Sequence, residues 1–290
     1  MDLFLQQTLA GLATGAIYAC MALAVVMIYQ SIDHFNFAQG EMAMFSTFIA
    51  WQMLQWGWPF PLAFAVCILL SFAGGAVIER IVFTPLRNAP VLSHVIVFVA
   101  LFSIFNSLAG FVWGYTIKVF PSPFPEETPF ETTLIGMHQL GMIGVTLSLL
   151  AIIYGFFRFT SLGLAMRAAA ANPESARLVG IGVERMIAIG WGLAAAIGAV
   201  AGMLIAPVVY LEPNMMLGIL LYGFAGAVLG GLDSPGGAVL GGFLVGVVEN
   251  LAGTYLIGSE LKLTFALVLI VAVLLVRPSG LFGRTVIRRV

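Results

Sequence analysis

The chain has 290 residues, of which 61% are hydrophobic and 9% charged, with a mean hydropathy of +1.07 and a formal net charge of -1. A soluble domain is about 45–50% apolar and about 25% charged, so the composition excludes an ordinary soluble enzyme and describes an all-α polytopic membrane protein. The near-zero net charge leaves no basic footprint for nucleic acid.

A bilayer core needs about 20 apolar residues per helix. Candidate spans fall at 3–29, 37–56, 60–82, 91–115, 139–158, 186–210, 215–232, 236–257 and 260–276. This predicts eight or nine transmembrane helices, some of them short or broken. The N-terminus carries Asp2 and no basic n-region, and its apolar run exceeds an h-region, so a membrane span is expected there rather than a cleavable signal. Cys20 and Cys67 lie in apolar spans and read as small buried hydrophobes, not a disulfide framework.

The weak span is 37–56. It contains Gln39, Glu41, Gln52 and Gln55 and follows Asp33, His34 and Asn36. The Asn36 to Gln39 spacing is that of a capping box, which predicts a helix start at Phe37. This segment either crosses or forms a half-span. Glu79, beside Arg80, reads as a membrane-boundary charge.

The segment 117–138 carries Pro121, Pro123, Pro125 and Pro129 with Glu126, Glu127 and Glu131. Repeated proline forbids regular helix, so this is the main external loop, either a solvated connector or an acidic docking platform.

The segment 158–185 is polar and holds Arg158, Arg167, Arg177 and Arg185. Within it lies a short-helix signature. Asn172 caps, Pro173 takes the first position, Glu174 lies in the first turn, and Gly180 with Gly182 ends the run. Two turns are marginal alone in water, so a cytoplasmic partner is expected to pack on this helix.

The last third is glycine-rich, with small-xxx-small spacings at Gly198/Gly202, Gly226/Gly230, Gly237/Gly241 and Gly242/Gly246 that allow close helix approach in lipid. The run through Gly231, Asp233, Pro235 and Gly236 breaks the helical pattern, and such breaks at membrane depth often flank a substrate route.

Basic residues cluster at Arg80 with Arg87, in 158–185, and in the tail with Arg277, Arg284, Arg288 and Arg289. Positive charge beside spans marks the cytoplasmic side. Even numbers of spans separate the three clusters, which puts the C-terminus in the cytoplasm and the N-terminus outside. If 37–56 does not cross, the N-terminus is inside.

Chemistry is absent where an enzyme would need it. The glycine run lacks the Lys-Ser/Thr of a phosphate-binding loop. No two His or Cys stand at metal-ligand spacing. His34, His94 and His138 lie near span ends without a serine motif, and Asp33 and Asp233 read as turn residues, so no intramembrane protease is expected. Any ATP hydrolysis belongs to another chain. The remaining polar groups at membrane depth are Tyr18, Asn36, Gln39, Glu41, Asn106, Glu249 and Asn250. Each is either a pathway group or a structural one, which for Asn36, Gln39 and Glu41 means capping and interface anchoring and for the others helix–helix hydrogen bonding.

Three motifs carry a resemblance to the LivH-type membrane permeases of ABC importers for branched-chain amino acids. Asn36-Phe37-Ala38-Gln39-Gly40-Glu41 resembles the family's Asn-Phe-Ala-His-Gly-Glu, with Gln39 in place of the usual histidine. Arg167-Ala168 through Asn172, Ala176, Gly180 and Ile181 is similar to its cytoplasmic coupling segment. Gly230-Gly231-Leu232 through Pro235-Gly236-Gly237 and Gly241-Gly242 is similar to its late glycine signature. The likeness covers about residues 5–283.

The resemblance implies one permease domain over 1–290 in a bacterial inner membrane, paired with a homologous second permease as a heterodimer. It implies two cytoplasmic ATPases that hold ATP and Mg, no cofactor on this chain, and an external solute-binding protein. Arg167, Asn172, Pro173, Glu174, Ala176, Arg177 and Gly180 would then form a coupling segment seated on one ATPase. Similar permeases serve urea, amides or aromatic acids, which keeps those substrates open. The competing class is a stand-alone secondary transporter or channel, whose coupling would reside in membrane ionisable groups.

Overall fold

A computed structural model describes residues 2–32, 34–87, 89–125, 135–277 and 279–283. In chain order the helices are α1 (Asp2–Ile32), α2 (Gln39–Gln55), α3 (Phe60–Ile78), α4 (Val91–Trp113), α5 (Met137–Phe159), α6 (Ser161–Ala171), α7 (Pro173–Leu178), α8 (Val183–Val209), α9 (Met215–Gly230), α10 (Pro235–Ala252) and α11 (Lys262–Val276). Wider π-type turns extend α3 over Glu79–Phe83 and α10 over Gly253–Ile257. Among the described residues there is no strand, only an isolated antiparallel bridge between Lys118 and Leu211. Among the described residues six helices are long and apolar enough to cross a membrane, and α9 and α11 are shorter apolar helices. The expected all-α polytopic architecture is therefore the one observed. The 17-residue α2 is the remaining, weaker element.

The chain forms two compact units. The first comprises Met1–Val26, Pro121–Gly144 and Leu217–Val290, and the second Met27–Phe120 and Val145–Met216.

In the first unit, α1 runs against α10 at backbone distance. A methyl added at Gly11 would lie 2.8 Å from the Val247 Cα, and one at Gly242 would lie 2.5 Å from the Ala19 Cα. Helices α9 and α10 approach as closely, since a methyl at Gly226 would lie 2.6 Å from the Gly242 Cα. The glycine spacings of the last third thus serve antiparallel and α1 contacts. Ala22, Val26, Ala227 and Ala238 fill a small buried cluster beside them.

In the second unit, α8 is the buried centre. Trp191 is fully buried, with ring centroids 4.5 Å from Phe83 and 6.2 Å from Phe98. Helix α3 meets α8 where a methyl on Gly75 would lie 2.7 Å from the Trp191 carbonyl oxygen. Helix α2 meets α8 at Gly198 and Gly202, which face Gln39 and Ala43.

Local readings differ from the sequence expectation at four places. Helix α2 starts at Gln39 and not Phe37, with Ala38 as its N-cap residue. Asn36 Oδ1 accepts from the Ala38 amide at 3.0 Å, one residue too early for a capping box. Glu79, where α3 ends, is buried against its own chain, 2% exposed, and accepts from Thr84 Oγ1 at 3.1 Å. The segment 158–185 contains a further helix, α6, capped by Thr160, whose Oγ1 accepts from the Gly163 amide at 3.0 Å. Helix α7 is packed by its own chain, because Ala176 is buried against Ala169 and Val183. Asp33, Glu126, Glu127, Pro129, Glu131, Arg284, Arg288 and Arg289 lie outside the described residues.

Substituting Gly226 with valine forces α9 away from α10. Overpacking of this kind costs about 1–3 kcal/mol, so the purified protein should unfold at a lower temperature in detergent. Gly236→Ala, where nothing lies within 4 Å of the added methyl, should leave the midpoint unchanged.

Candidate functional site

The basic segment builds a compact knob. Asn172 Oδ1 accepts from the Ser175 amide at 2.9 Å and starts α7, whose first residue is Pro173. Gly180 closes it with φ +85, a left-handed conformation that side chains resist, and the Ile181 amide donates to the Ala176 carbonyl at 3.0 Å. One face of α7 is thereby used up by Ala176 on α6 and α8. The other face presents Glu174, Arg177, Leu178 and Val179 to the outside, with Leu178 88% exposed. Arg167 is also exposed, on α6.

An ion-pair chain ties this knob to α3. Arg177 Nη2 and Arg87 Nη1 each bond Glu184 Oε1 at 2.9 Å. Arg87 also reaches Glu79 Oε1 at 3.8 Å, in the π-type turn that ends α3. Each exposed pair contributes about 0–1 kcal/mol, so the chain orients more than it stabilises. Arg87 reads from sequence only as a topology charge, and Glu184 carries no signal of its own. They are far apart in the chain, and only the sign of their charges hinted at a pairing.

A second constellation lies within the second unit. Asn36 Nδ2 donates to Gln39 Oε1 at 3.4 Å, and Gln39 Nε2 donates to the Ala194 carbonyl of α8 at 2.9 Å. Both side chains are fully buried. Glu41, 1% exposed, faces Asn106 of α4, whose Nδ2 lies 3.4 Å from Glu41 Oε2, 3.1 Å from the Pro213 carbonyl and 3.0 Å from Asn214 Oδ1. The structure thus brings Glu41 and Asn106 together and adds Asn214, which sequence reasoning missed.

A third constellation lies within the first unit. Tyr18 Oη donates to Glu249 Oε2 at 3.4 Å, and its ring stacks on Tyr222 at 4.7 Å. Lys262 Nζ pairs with Glu249 Oε1 at 3.2 Å and donates to Asn250 Oδ1 at 3.0 Å. Asn250 Nδ2 donates to the Gln7 carbonyl at 2.7 Å. Tyr18, Glu249 and Asn250 are thereby joined to one another through Lys262, Gln7 and Tyr222. Lys262 was not singled out because it stands at the edge of an apolar run, where lysine ordinarily reaches the interface.

The break between α9 and α10 is a turn. Gly231 has φ +108, and Ser234 Oγ caps α10 by accepting from the Gly237 amide at 3.1 Å. Pro235 is the first residue of α10, and Asp233, Pro235 and Gly236 are exposed at the tip. The carbonyls of Leu229 and Gly230 accept from the amides of Leu281 and Phe282 at 2.8 and 3.0 Å. The late segment Ser279–Gly283 therefore closes the end of α9. Among the described residues no group of three or more His, Cys, Asp or Glu is placed to hold a metal ion.

The family described as "Branched-chain amino acid transport system / permease component" matches residues 7–274. The chain is 31% identical over 304 residues to the high-affinity branched-chain amino acid transport system permease protein LivH of Escherichia coli, covering 99% of this chain and 98% of that protein. It is 32% identical over 303 residues to the corresponding permease BraD of Pseudomonas aeruginosa, at the same coverage of 99% and 98%. Among solved structures, PsaBC from Streptococcus pneumoniae in complex with Fab shares the fold with a TM-score of 0.51 at 13% identity, over 93% of this chain and 91% of that one.

The Glu249–Lys262 pair yields a stability test. Their side chains are 6% and 26% exposed, between a surface pair and a fully buried one. Lys262→Met should destabilise the protein by about 2 kcal/mol by leaving a buried carboxylate without its cation. Adding Glu249→Gln should restore most of that loss, read as the thermal unfolding midpoint of the single and double variants.

Proposed function

The chain belongs to the permease components of branched-chain amino acid transport systems, and on that premise we propose how it works. It is a multi-pass permease subunit of an amino-acid importer in a bacterial inner membrane. It pairs with a homologous second permease as a heterodimer, in a membrane domain that spans residues 1–290. Two cytoplasmic ATPases bind ATP and Mg and perform the hydrolysis, so this chain holds no cofactor and no catalytic residue. An external solute-binding protein delivers branched-chain or related amino acids to the face that carries the 117–138 loop. The C-terminus and the α6–α7 segment lie in the cytoplasm, and the N-terminus is periplasmic.

The observation that carries the reading is the geometry of α7. A two-turn helix is capped at Asn172, fixed to α6 and α8 through Ala176, and left with Leu178 and Val179 exposed beside Arg177, which pairs with Glu184. A plain connector has no use for a rigidly seated tip with an apolar edge. Such a tip suits a groove on a partner, and Arg167, Asn172, Pro173, Glu174 and Gly180 are the residues that shape or flank it.

Closure of the ATPase pair on ATP displaces this tip. The displacement passes through Ala169, Ala176 and Val183 into α8. Through Glu184 and Arg87 it also reaches Glu79 at the end of α3. ATP supplies the free energy by binding one arrangement better than the other. The polar groups Tyr18, Asn36, Gln39, Glu41, Asn106, Glu249 and Asn250 are the pathway candidates, and the turn at Gly231, Asp233, Pro235 and Gly236 flanks them in sequence.

Co-expression with candidate ATPase, second permease and binding-protein chains tests the class. Purification on a tag carried by this chain should bring down the ATPases, and binding protein loaded with leucine should stimulate hydrolysis. Absence of any associated ATPase would sink the importer reading in favour of a stand-alone transporter or channel. Stimulation by urea, amides or aromatic acids but not leucine would keep the importer and change its substrate.

Gly180→Val tests the tip itself. A side chain in the left-handed region costs about 1–2 kcal/mol, which should distort the exit of α7 and leave the membrane helices intact. Uptake should fall while the complex still assembles and hydrolyses ATP. Glu184→Gln should lower substrate moved per ATP in the same direction, by releasing both arginines. Unchanged uptake in both variants at wild-type hydrolysis would overturn the coupling assignment.

A further inference from the structure

The ionisable groups near Glu41 differ from those elsewhere in the chain. Glu249 has Lys262, Glu184 has Arg177 and Arg87, and Glu79 has Arg87 and Thr84. Glu41 is as buried as any of them, at 1% exposure, yet among the described residues no cation lies within ion-pair distance of it. Its hydrogen bond to Asn106 is long, at 3.4 Å. A carboxylate offers about four acceptor positions, so most of its capacity is unused. A buried charge in this condition ordinarily costs more than a fold tolerates without a use for it.

The surroundings of Asn106 point the same way. Its amide nitrogen has two N–H groups, yet three oxygens converge on it: Glu41 Oε2, the Pro213 carbonyl and Asn214 Oδ1. Three acceptors, one of them on a buried carboxyl group, form a cage suited to a group with three N–H donors and one positive charge. The cage is held from both sides. Lys118 and Leu211 exchange two backbone hydrogen bonds, at 2.9 and 3.0 Å, which fixes the strand-like approach to Pro213. Tyr210, just before, adopts φ +65, a conformation that a bulky residue keeps only where the surroundings impose it. Asn214 is exposed, so the cage opens outward at that edge while Glu41 closes its inner end.

An apolar wall adjoins it. Phe45 is one turn beyond Glu41 on α2, and Phe105 precedes Asn106 on α4, with ring centroids 5.3 Å apart. Trp113 packs on Phe45 and Phe48 at 5.4 and 5.1 Å. Phe45 and Phe105 also line a groove of about 140 Å³ between α2, α3, α4 and α8. An aliphatic amino acid presents this pairing of groups, an ammonium beside a branched hydrocarbon.

We propose that Glu41, Asn214 and the Pro213 carbonyl, bridged in this structure by the Asn106 amide, form the subsite that receives the α-ammonium group of the transported amino acid. This rests on the amino-acid importer reading and assigns the substrate's charged end to one place in it. No covalent step is involved. The ammonium replaces the Asn106 amide as the partner of the three oxygens, and Glu41 neutralises it away from water.

The test uses the complete complex of this chain with its partner permease, ATPases and binding protein, reconstituted in liposomes. The variants are Glu41→Gln, which keeps size and acceptor but removes the charge, and Asn214→Ala, which removes the outer oxygen and leaves the buried acid alone. Leucine uptake and leucine-stimulated ATP hydrolysis are measured together on assembled complexes. The expected result is hydrolysis near wild type with leucine moved per ATP reduced at least several-fold in Glu41→Gln, and reduced less in Asn214→Ala. A purely structural role would lower hydrolysis and uptake in parallel. That parallel loss in Glu41→Gln, together with an unchanged ratio in Asn214→Ala, overturns the proposal, as does a wild-type ratio in both variants. The wild-type complex reports separately on the importer reading. A wild type that moves urea or acetamide but not leucine ends the substrate assignment and the ammonium subsite with it. A wild type that moves leucine while both variants match it ends the subsite alone.

Discussion

Two helices can touch backbone to backbone only where no side chain stands between them, and in lipid that contact is the main source of cohesion because the hydrocarbon offers no hydrophobic drive. The structure depends on this condition being met at many glycines along α8 and α10. Where Gly198 and Gly202 admit α2, the Gln39 amide comes within 2.9 Å of the Ala194 carbonyl. Where Gly242 and Gly246 admit α1, Tyr18 comes within reach of Glu249. Close approach thus does two things at once. It gains dispersion contacts, and it sets short polar side chains against partners they could not otherwise reach without water.

The same condition explains the placement of charge. Glu249 in the first unit and Glu41 in the second are both buried on helices, and the two are treated differently. Glu249 is tied to a lysine and two amide side chains in a network that spans α1, α10 and α11. Glu41 has only the long bond from the Asn106 amide, which the Pro213 carbonyl and Asn214 Oδ1 share. A neutralised pair suits a joint that holds helices in register, whereas an unneutralised acid suits a place that a cation visits. The ion-pair chain through Glu184 belongs to neither case, since its members are largely exposed and their value lies in direction more than in energy.

How much of this was legible in the sequence follows from range. Asn172-Pro173 and Gly180 could be read because a cap and a left-handed closure are decided within a few residues. The apolar spans and the glycine spacings were readable for the same reason. Helix α6, whose buried face is Gly163, Met166 and Ala169, follows α5 after the single residue Thr160, so no glycine or proline marks it off in the sequence. The packing of Ala176 on Ala169 and Val183 could not be read at all, because a six-residue helix has too few turns to show a face. Pairings such as Asn106 with Asn214 or Glu249 with Lys262 join residues on different helices. Sequence supplied Glu41, Asn106 and Glu249 as polar residues out of place, but the partners that distinguish one from another appear only when the helices are assembled.

The seal on the α9–α10 turn bears on how the chain is made. The last carbonyls of α9 are taken up by the amides of Leu281 and Phe282, which leave the ribosome only after α10 and α11. Until then the end of α9 must be satisfied by water or lipid headgroups. The first unit therefore reaches its final hydrogen bonding late in synthesis, although α1, which packs against it, emerges first. A fusion partner joined close behind Gly283 would act on a helix end more distant in sequence than its point of attachment suggests.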